Sequence, residues 1–268
     1  MNRIVKLCAG LALAALALES QTPGERVTVP FSDASRPRVL KISHMHGNVT
    51  VKGYGGKEAI VEAKAQEGAR GRRNRPDPRA EGLRRIGPEM TGLKIEEQDN
   101  LITVSAGLNA GDINVQVPFE TRLQLKLMNG EITVEGVAGE IDAHNTNGRV
   151  TLRNVSGAVV AHSLNDDLTV TFDKVAPDKA MSFSTMNGDI DVAMPAGVKA
   201  RVKMKTDNGE IYSDFDIRTE PAAGPTATET GKGKRIRFDK TMYGTINGGG
   251  PEIQFTTFNG KIYLRQKK

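Results

Sequence analysis

A unit of 18 residues repeats in register along this chain. From Asn129 the sequence runs NGEITVEGVAGEIDAHNT, and from Asn147 it runs NGRVTLRNVSGAVVAHSL. The units agree at Asn129/Asn147, Gly130/Gly148, Thr133/Thr151, Val137/Val155, Gly139/Gly157, Ala143/Ala161 and His144/His162. Further units open at Asn165 (NDDLTVTF), Asn187 (NGDIDVAMP), Asn208 (NGEIYSDF) and Asn259 (NGKIYLR). A weaker copy, HGNVTVKGY, starts at His46. Each unit halves again, since NGEITVEGV and AGEIDAHNT are both nine residues with Gly second. A fixed period of this length is the signature of stacked repeats, each of which buries its apolar face only against a neighbour.

Ile132 and Val134 alternate with Glu131, Thr133 and Glu135, the pattern of a half-buried strand with Ile132 pointing inward. Asn and Gly accept left-handed backbone angles, so each pair can turn the chain sharply. An Asn-Gly pair between strands also suits a two-residue hairpin and an antiparallel meander. The in-register spacing and the position-by-position match favour a coil in which every repeat stacks on the last. Equivalent side chains then form ladders, and each strand pairs in parallel with its counterpart one turn away. The expected fold is therefore all-β, a single-stranded right-handed parallel β-solenoid (β-helix) with turns of about 18–22 residues. Its turn ladder would comprise Asn129, Gly130, Asn147, Gly148, Asn165, Asn187, Gly188, Asn208, Gly209, Asn259 and Gly260. Asp166 stands where the third unit should have Gly, which predicts a wider corner. Aromatic residues are only 4% and Trp is absent, which suits a thin core of stacked aliphatic side chains better than a ring-lined enzyme pocket.

Upstream, short strands are expected at Arg38–Ile42, Asn48–Lys52, Ala59–Ala65, Leu93–Glu97, Leu101–Ser105, Asp112–Val117 and Leu123–Met128. Residues 1–20 read as a signal peptide: Arg3 and Lys6, an apolar run from Leu7 to Leu18, then small residues near Ala17 and Ser20. The run is too short to span a bilayer, and a buried N-terminal helix is the competing reading. Cys8 lies inside it without the small residues that lipidation needs, so the mature chain would carry no cysteine and no stable membrane span. Residues 21–268 read as a single solenoid domain with two insertions. One, at 66–92, is Arg-rich, and the other, at 218–234, is flexible.

The succession MNGEITVEGVAGEI, TNGRVTLRNVSG, MNGDIDVAMP, DNGEIYSDF, INGGGPEIQF and FNGKIYLR resembles the putative-adhesin β-strand-repeat family of bacterial exported proteins, a domain of unknown function. The likeness runs from about Val39 to Leu264 and is strongest after Met128. It implies one parallel β-solenoid at the cell envelope or surface, and no catalytic residues.

Candidate chemistry is sparse. His144 and His162 occupy equivalent outward positions and would lie ~5 Å apart, enough for two metal ligands but short of the three or four a usual site needs. His44 and His46 share one strand face. The carboxylates Glu131, Asp166, Asp167, Asp189, Asp191 and Glu210 gather near the corners, where solubility explains them as well as glycosidase chemistry or calcium does. Gly248–Gly250 lacks the Lys-Ser/Thr and helix of a phosphate loop. The best surface candidate is the anionic-ligand set Arg70, Arg72, Arg73, Arg75, Arg84 and Arg85, suited to bidentate contact with acidic groups. A formal charge of +5 is too mild to point to nucleic acid. The expectation is a non-catalytic exported module, needing no cofactor, that binds an envelope or surface glycan or protein. The alternatives are a polysaccharide-active β-helix enzyme and a periplasmic sensing or regulatory partner of a membrane protein.

Overall fold

The computed structural model describes residues 25–65, 92–106, 110–220, 226–230, 233–237 and 240–268. The expected signal peptide and the six candidate arginines (Arg70, Arg72, Arg73, Arg75, Arg84 and Arg85) lie outside these residues. Every regular element described is a strand. No described helix is long and apolar enough to cross a membrane.

The chain opens with β1 (Glu25–Pro30), β2 (Arg38–His46), β3 (Val49–Tyr54), β4 (Glu58–Ala65), β5 (Leu93–Gln98), β6 (Leu101–Ala106) and β7 (Ala110–Pro118). The clear repeats follow as strand pairs joined by an Asn-Gly or Asn-Asp corner. They are β8 (Thr121–Asn129) with β9 (Ile132–Glu135), β10 (Ile141–Asn147) with β11 (Val150–Gly157), β12 (Val159–Asn165) with β13 (Leu168–Val175), and β14 (Met181–Asn187) with β15 (Ile190–Met194). After them come β16 (Ala200–Asn208), β17 (Ile211–Ser213), β18 (Ile217–Thr219), β19 (Thr226–Thr230), β20 (Gly233–Arg237), β21 (Met242–Ile246), β22 (Glu252–Asn259) and β23 (Ile262–Gln266). The segment expected to be a flexible insertion, 218–234, thus contributes to β18, β19 and β20, and β19 pairs antiparallel with β20.

Each 18-residue unit sends one strand into each of two large sheets, as its division into nines requires. The longer sheet runs β18-β21-β16-β22-β14-β12-β10-β8-β2-β6-β5 and the shorter runs β1-β4-β7-β3-β9-β11-β13-β15-β23-β17. Their middles are parallel, and Ile141 pairs with Leu123 on one side and Val159 on the other, 18 residues away each time. Inward positions fill the space between the sheets. One row runs through Ala143, Ala161, Phe183 and Phe255, with the two Phe rings stacked at 5.2 Å and Phe172 edge-on to Phe183 at 6.2 Å. Ile132 is fully buried, as alternation requires.

The stack is not one coil laid down in chain order, and both sheets are mixed. At the N-terminal end β2 lies between β6 and β8, and β3 between β7 and β9. At the C-terminal end β22 lies between β14 and β16, and β23 between β15 and β17. Antiparallel strands close both sheets at one end (β1 and β4 in the shorter, β5 in the longer) and the longer sheet at the other (β21 and β18), while the shorter sheet ends there on β17, parallel to β23. The physical reason is the edge. A terminal turn of parallel strands would leave unpaired N–H and C=O groups, so the chain doubles back to cover them and the order permutes.

The corners obey a close-packing rule. A Cβ on Gly148 would sit 2.0 Å from the Gly130 carbonyl oxygen, and one on Gly260 would sit 1.9 Å from that of Gly188. Asp166 breaks the sequence rule without widening the corner. Its φ is 154° against 156° at Gly188, and Asn165 stays in register with both Asn147 and Asn187. Its carboxylate accepts the Asp167 N–H at 2.8 Å, a local bond that Gly could not make.

Candidate functional site

Three sets of side chains are ordered by the stacking: one at the Asn-Gly corners and one on the outer face of each sheet.

At the corners the asparagines form a continuous chain of amides. Asn208 Nδ2 donates to Asn259 Oδ1 (2.8 Å), Asn259 to Asn187 (2.8 Å), Asn187 to Asn165 (2.9 Å), Asn165 to Asn147 (2.9 Å) and Asn147 to Asn129 (2.9 Å). Asn129 Nδ2 then meets His46 Nδ1 at 3.2 Å. The expected ladder is present, with Asn259 ahead of Asn208 because β22 lies inside β16. Every bond points the same way, so His46 must present a bare Nδ1 at the end of the row.

Beneath it runs a second ladder. The residue two before each corner Asn is buried and polar in nearly every turn, and it caps the carbonyl of a corner residue. Asn145 donates to Gly130 and Gly148 (2.8 Å each), Ser163 to Gly148 (3.2 Å), Thr185 to Asp166 (3.1 Å), Thr257 to Gly188 (3.1 Å) and Thr206 to Gly260 (2.8 Å). His44 takes this role in the first turn, with Nε2 2.8 Å from the Gly111 oxygen. The motif TxNG, repeated at Thr185, Thr206 and Thr257, was the sequence signal for it. His44 and His46 therefore share a strand side but have separate structural tasks.

Burial lowers the His44 pKa below the ordinary imidazole value, against an opposing pull from the Gly111 carbonyl. His46 lowers it further and Asp112 raises it. His162 is lowered by burial and by His144. An imidazole depressed in the folded state binds its proton more tightly in the unfolded chain. Stability is then full above about pH 6.5 and falls as pH drops below that value. His44→Thr, which restores the capping hydroxyl of the other turns, should shrink the loss of urea midpoint between pH 7.5 and pH 5. An undiminished loss would show that His44 does not carry it.

On the outer face of the shorter sheet, Thr50, Thr133, Thr151 and Thr169 stand in one register row, continued by Asp191, Tyr263 and Tyr212. Strand spacing sets the hydroxyls ~4.8 Å apart. The Tyr212 and Tyr263 rings stack at 5.4 Å and 11°. The Arg265 guanidinium lies 5.0 Å from the Tyr263 ring centre, and its Nε donates to Asp191 at 2.8 Å. A shallow cleft beside the row is lined by Arg149, Arg153, Asn154, Asp167 and Thr171 with Thr151 and Thr169. At its rim β11 carries a bulge, with Asn154 at φ 52°.

On the longer sheet the row next to the asparagines is apolar. Met45, Met128, Met186 and Phe258 are each 45–48% exposed and occupy successive register positions with Thr146 and Leu164 between Met128 and Met186. The next row holds the histidines, with His144 and His162 rings 5.9 Å apart. His162 Nδ1 is 2.9 Å from Ser184 Oγ, and His144 Nε2 is 2.7 Å from Asp142.

The acids are dispersed. Asp167 and Asp189 cap the backbone N–H of Asp189 and Lys261, Asp166 and Asp167 lie beside Arg149, and Glu210 accepts the Tyr212 hydroxyl. Glu131 uses its backbone N–H on Asn48. Among the described residues no group of three or more His, Cys, Asp or Glu is placed to hold a metal ion.

The family model described as Toastrack DUF4097 matches residues 26–247. A crystal structure described as "a putative cell adhesion protein" from Clostridium sporogenes has a similar fold. It aligns at TM-score 0.50 with 13% identity, covering 91% of this chain and 100% of that one. No curated protein matches the chain. The corner repeat, the paired sheets and the family match over residues 26–247 agree, and the chain belongs to the Toastrack DUF4097 family.

Proposed function

We propose that this chain is a non-catalytic, exported envelope or surface module, a solenoid-like stack of parallel strand pairs with permuted ends, that acts in adhesion by binding extended glycan. The observation that carries this reading is the Thr50–Thr133–Thr151–Thr169–Asp191–Tyr263–Tyr212 row. Thr50, Thr133 and Thr169 are half-buried and Thr151 is buried, so the row offers hydroxyl donors and acceptors to either side of Thr151, and the exposed Tyr212 gives an apolar surface against which a sugar ring can lie. The face is long and flat, which suits weak contact repeated along a polymer better than turnover in a pocket. The likeness in fold to a protein described as "a putative cell adhesion protein" supports the same reading. The leader-like residues 1–20 support export.

The test is retention of the purified protein on insoluble envelope polysaccharide, with soluble oligosaccharide as competitor. Tyr212→Ala and Tyr263→Ala should each weaken retention several-fold, while Val160→Ala on the opposite sheet should leave it unchanged. No retention on acidic or neutral polymers, or release of sugar from them, would overturn the reading. The apolar row of Met45, Met128, Leu164, Met186 and Phe258 favours a second reading, a protein partner on the other sheet.

A further inference from the structure

The two outer faces carry their charge differently. On the shorter sheet Lys52 pairs with Glu135 at 3.2 Å, Arg265 pairs with Asp191 at 2.8 Å, and Arg149 lies beside Asp166 and Asp167. On the longer sheet two further register rows follow the apolar one. The first carries Lys94, Lys126, His144, His162 and Lys205, with serine and threonine hydroxyls between them. The second carries Lys41 and Lys203. These two rows hold five lysines against two carboxylates, and both carboxylates are engaged, Glu96 by Lys94 at 2.7 Å and Asp142 by His144 at 2.7 Å. Lys41, Lys126, Lys203 and Lys205 are in no ion pair among the described residues.

The apolar row runs directly alongside. Met128 is two residues beyond Lys126, Leu164 two beyond His162 and Phe258 two beyond Thr256, a separation of ~6.6 Å. A lysine stem can lie along such a row while its ammonium stays at the edge. At β16 the row ends on Asp207.

The apolar row by itself suits a protein partner, but the rows beside it do not. Protein interfaces are poor in Lys and rich in Arg, whose planar fork suits acceptors held in a fixed geometry. In these two rows the fixed cations are all Lys. An ammonium is a point charge that any nearby anion satisfies. The first row spreads its lysines from β5 to β16, eight strand spacings or ~38 Å. An array of point charges beside exposed apolar side chains matches a bilayer, where apolar groups enter the acyl boundary and cations stay at the headgroups. We propose that the outer face of the longer sheet docks on an anionic lipid surface, with Met45, Met128, Leu164, Met186 and Phe258 set into the headgroup boundary and the lysines on lipid phosphates. This is independent of the glycan reading of the shorter sheet, which faces the other way.

The test places a polarity-sensitive fluorophore on the face. In a full-length Cys8→Ser background, Met186→Cys is labelled and mixed with vesicles of phosphatidylglycerol and phosphatidylcholine. Its emission should shift to the blue. A label at Lys174→Cys, an exposed position at the end of β13 in the shorter sheet, should stay solvent-like. Phosphatidylcholine vesicles alone should leave the label at 186 almost unshifted. Lys126→Gln combined with Lys205→Gln should weaken the affinity for anionic vesicles roughly tenfold or more, while Lys174→Gln leaves it unchanged. A label at 186 that stays solvent-like on anionic vesicles overturns the proposal, and so does an affinity that the lysine pair leaves unaltered. A shift produced by a soluble Leu/Glu helical peptide and by no vesicle assigns the face to protein and overturns it too. Binding through residues 1–20 does not imitate the expected result, because the label reports only on its own surroundings. If the lysine pair fails to fold, the label at 186 decides alone.

Discussion

Ile132→Asp should abolish the native melting transition. Ile132 is fully buried and pairs with Val49 on one side and Val150 on the other. A carboxylate there must be desolvated among aliphatic side chains or be held protonated, and either costs several kcal/mol. That is most of the ~5–15 kcal/mol that holds a domain together. The stack is close to one-dimensional, so a turn that fails also removes the partner of each adjacent turn. Thr133→Asp supplies the control. Thr133 is the next residue along the strand but faces out, in the row where Asp191 already carries a carboxylate. It should change stability by less than ~1 kcal/mol. Thermal unfolding followed by circular dichroism separates the two, and a wild-type midpoint for Ile132→Asp would mean that the two strand faces are assigned the wrong way round.

Gly148→Ala should cost ~3 kcal/mol or more, and Gly136→Ala about 1 kcal/mol. Both glycines have positive φ, 129° and 66°. They differ in what surrounds the missing side chain. The added methyl at 148 would lie 2.0 Å from the Gly130 oxygen, whereas at 136 nothing lies within 4 Å. Gly130 cannot retreat freely, because its N–H bonds to the Asn147 carbonyl at 3.0 Å and its own carbonyl accepts from Asn145. Equal losses in urea midpoint for the two variants would mean that backbone angle alone sets the glycine requirement, and that the close stacking of corners contributes nothing.

The repeat made much of this legible in advance. Because Asn129, Asn147 and Asn165 recur at fixed spacing, parallel pairing in register follows from sequence alone, and so does the inward or outward direction of each strand residue. The upstream strands were legible from alternation in the same way. The Thr133/Thr151 match already contained the hydroxyl row of the shorter sheet. The row's continuation through Asp191, Tyr263 and Tyr212 was hidden, because those positions change residue type while keeping their direction. The capping ladder was hidden for the opposite reason. His44, Asn145, Ser163 and Thr185 are polar, and polar residues at inward positions read as interruptions until the Gly carbonyls they serve are in place.

The amino-acid sequence by itself determined the all-β class, the period, the two-strand unit and the need for glycine at the corners. Each of these depends on residues close together in the chain or exactly repeated along it. Only the tertiary structure decided the order in which the turns stack. An identical corner motif fits beside any other, so nothing local tells Asn259 to lie between Asn187 and Asn208, or β2 to lie between β6 and β8. That choice comes from the need to cover the open edges of two sheets at once, which is a property of the assembled stack. It also decides that β22 and β23 occupy an interior slot and that antiparallel strands close three of the four sheet ends.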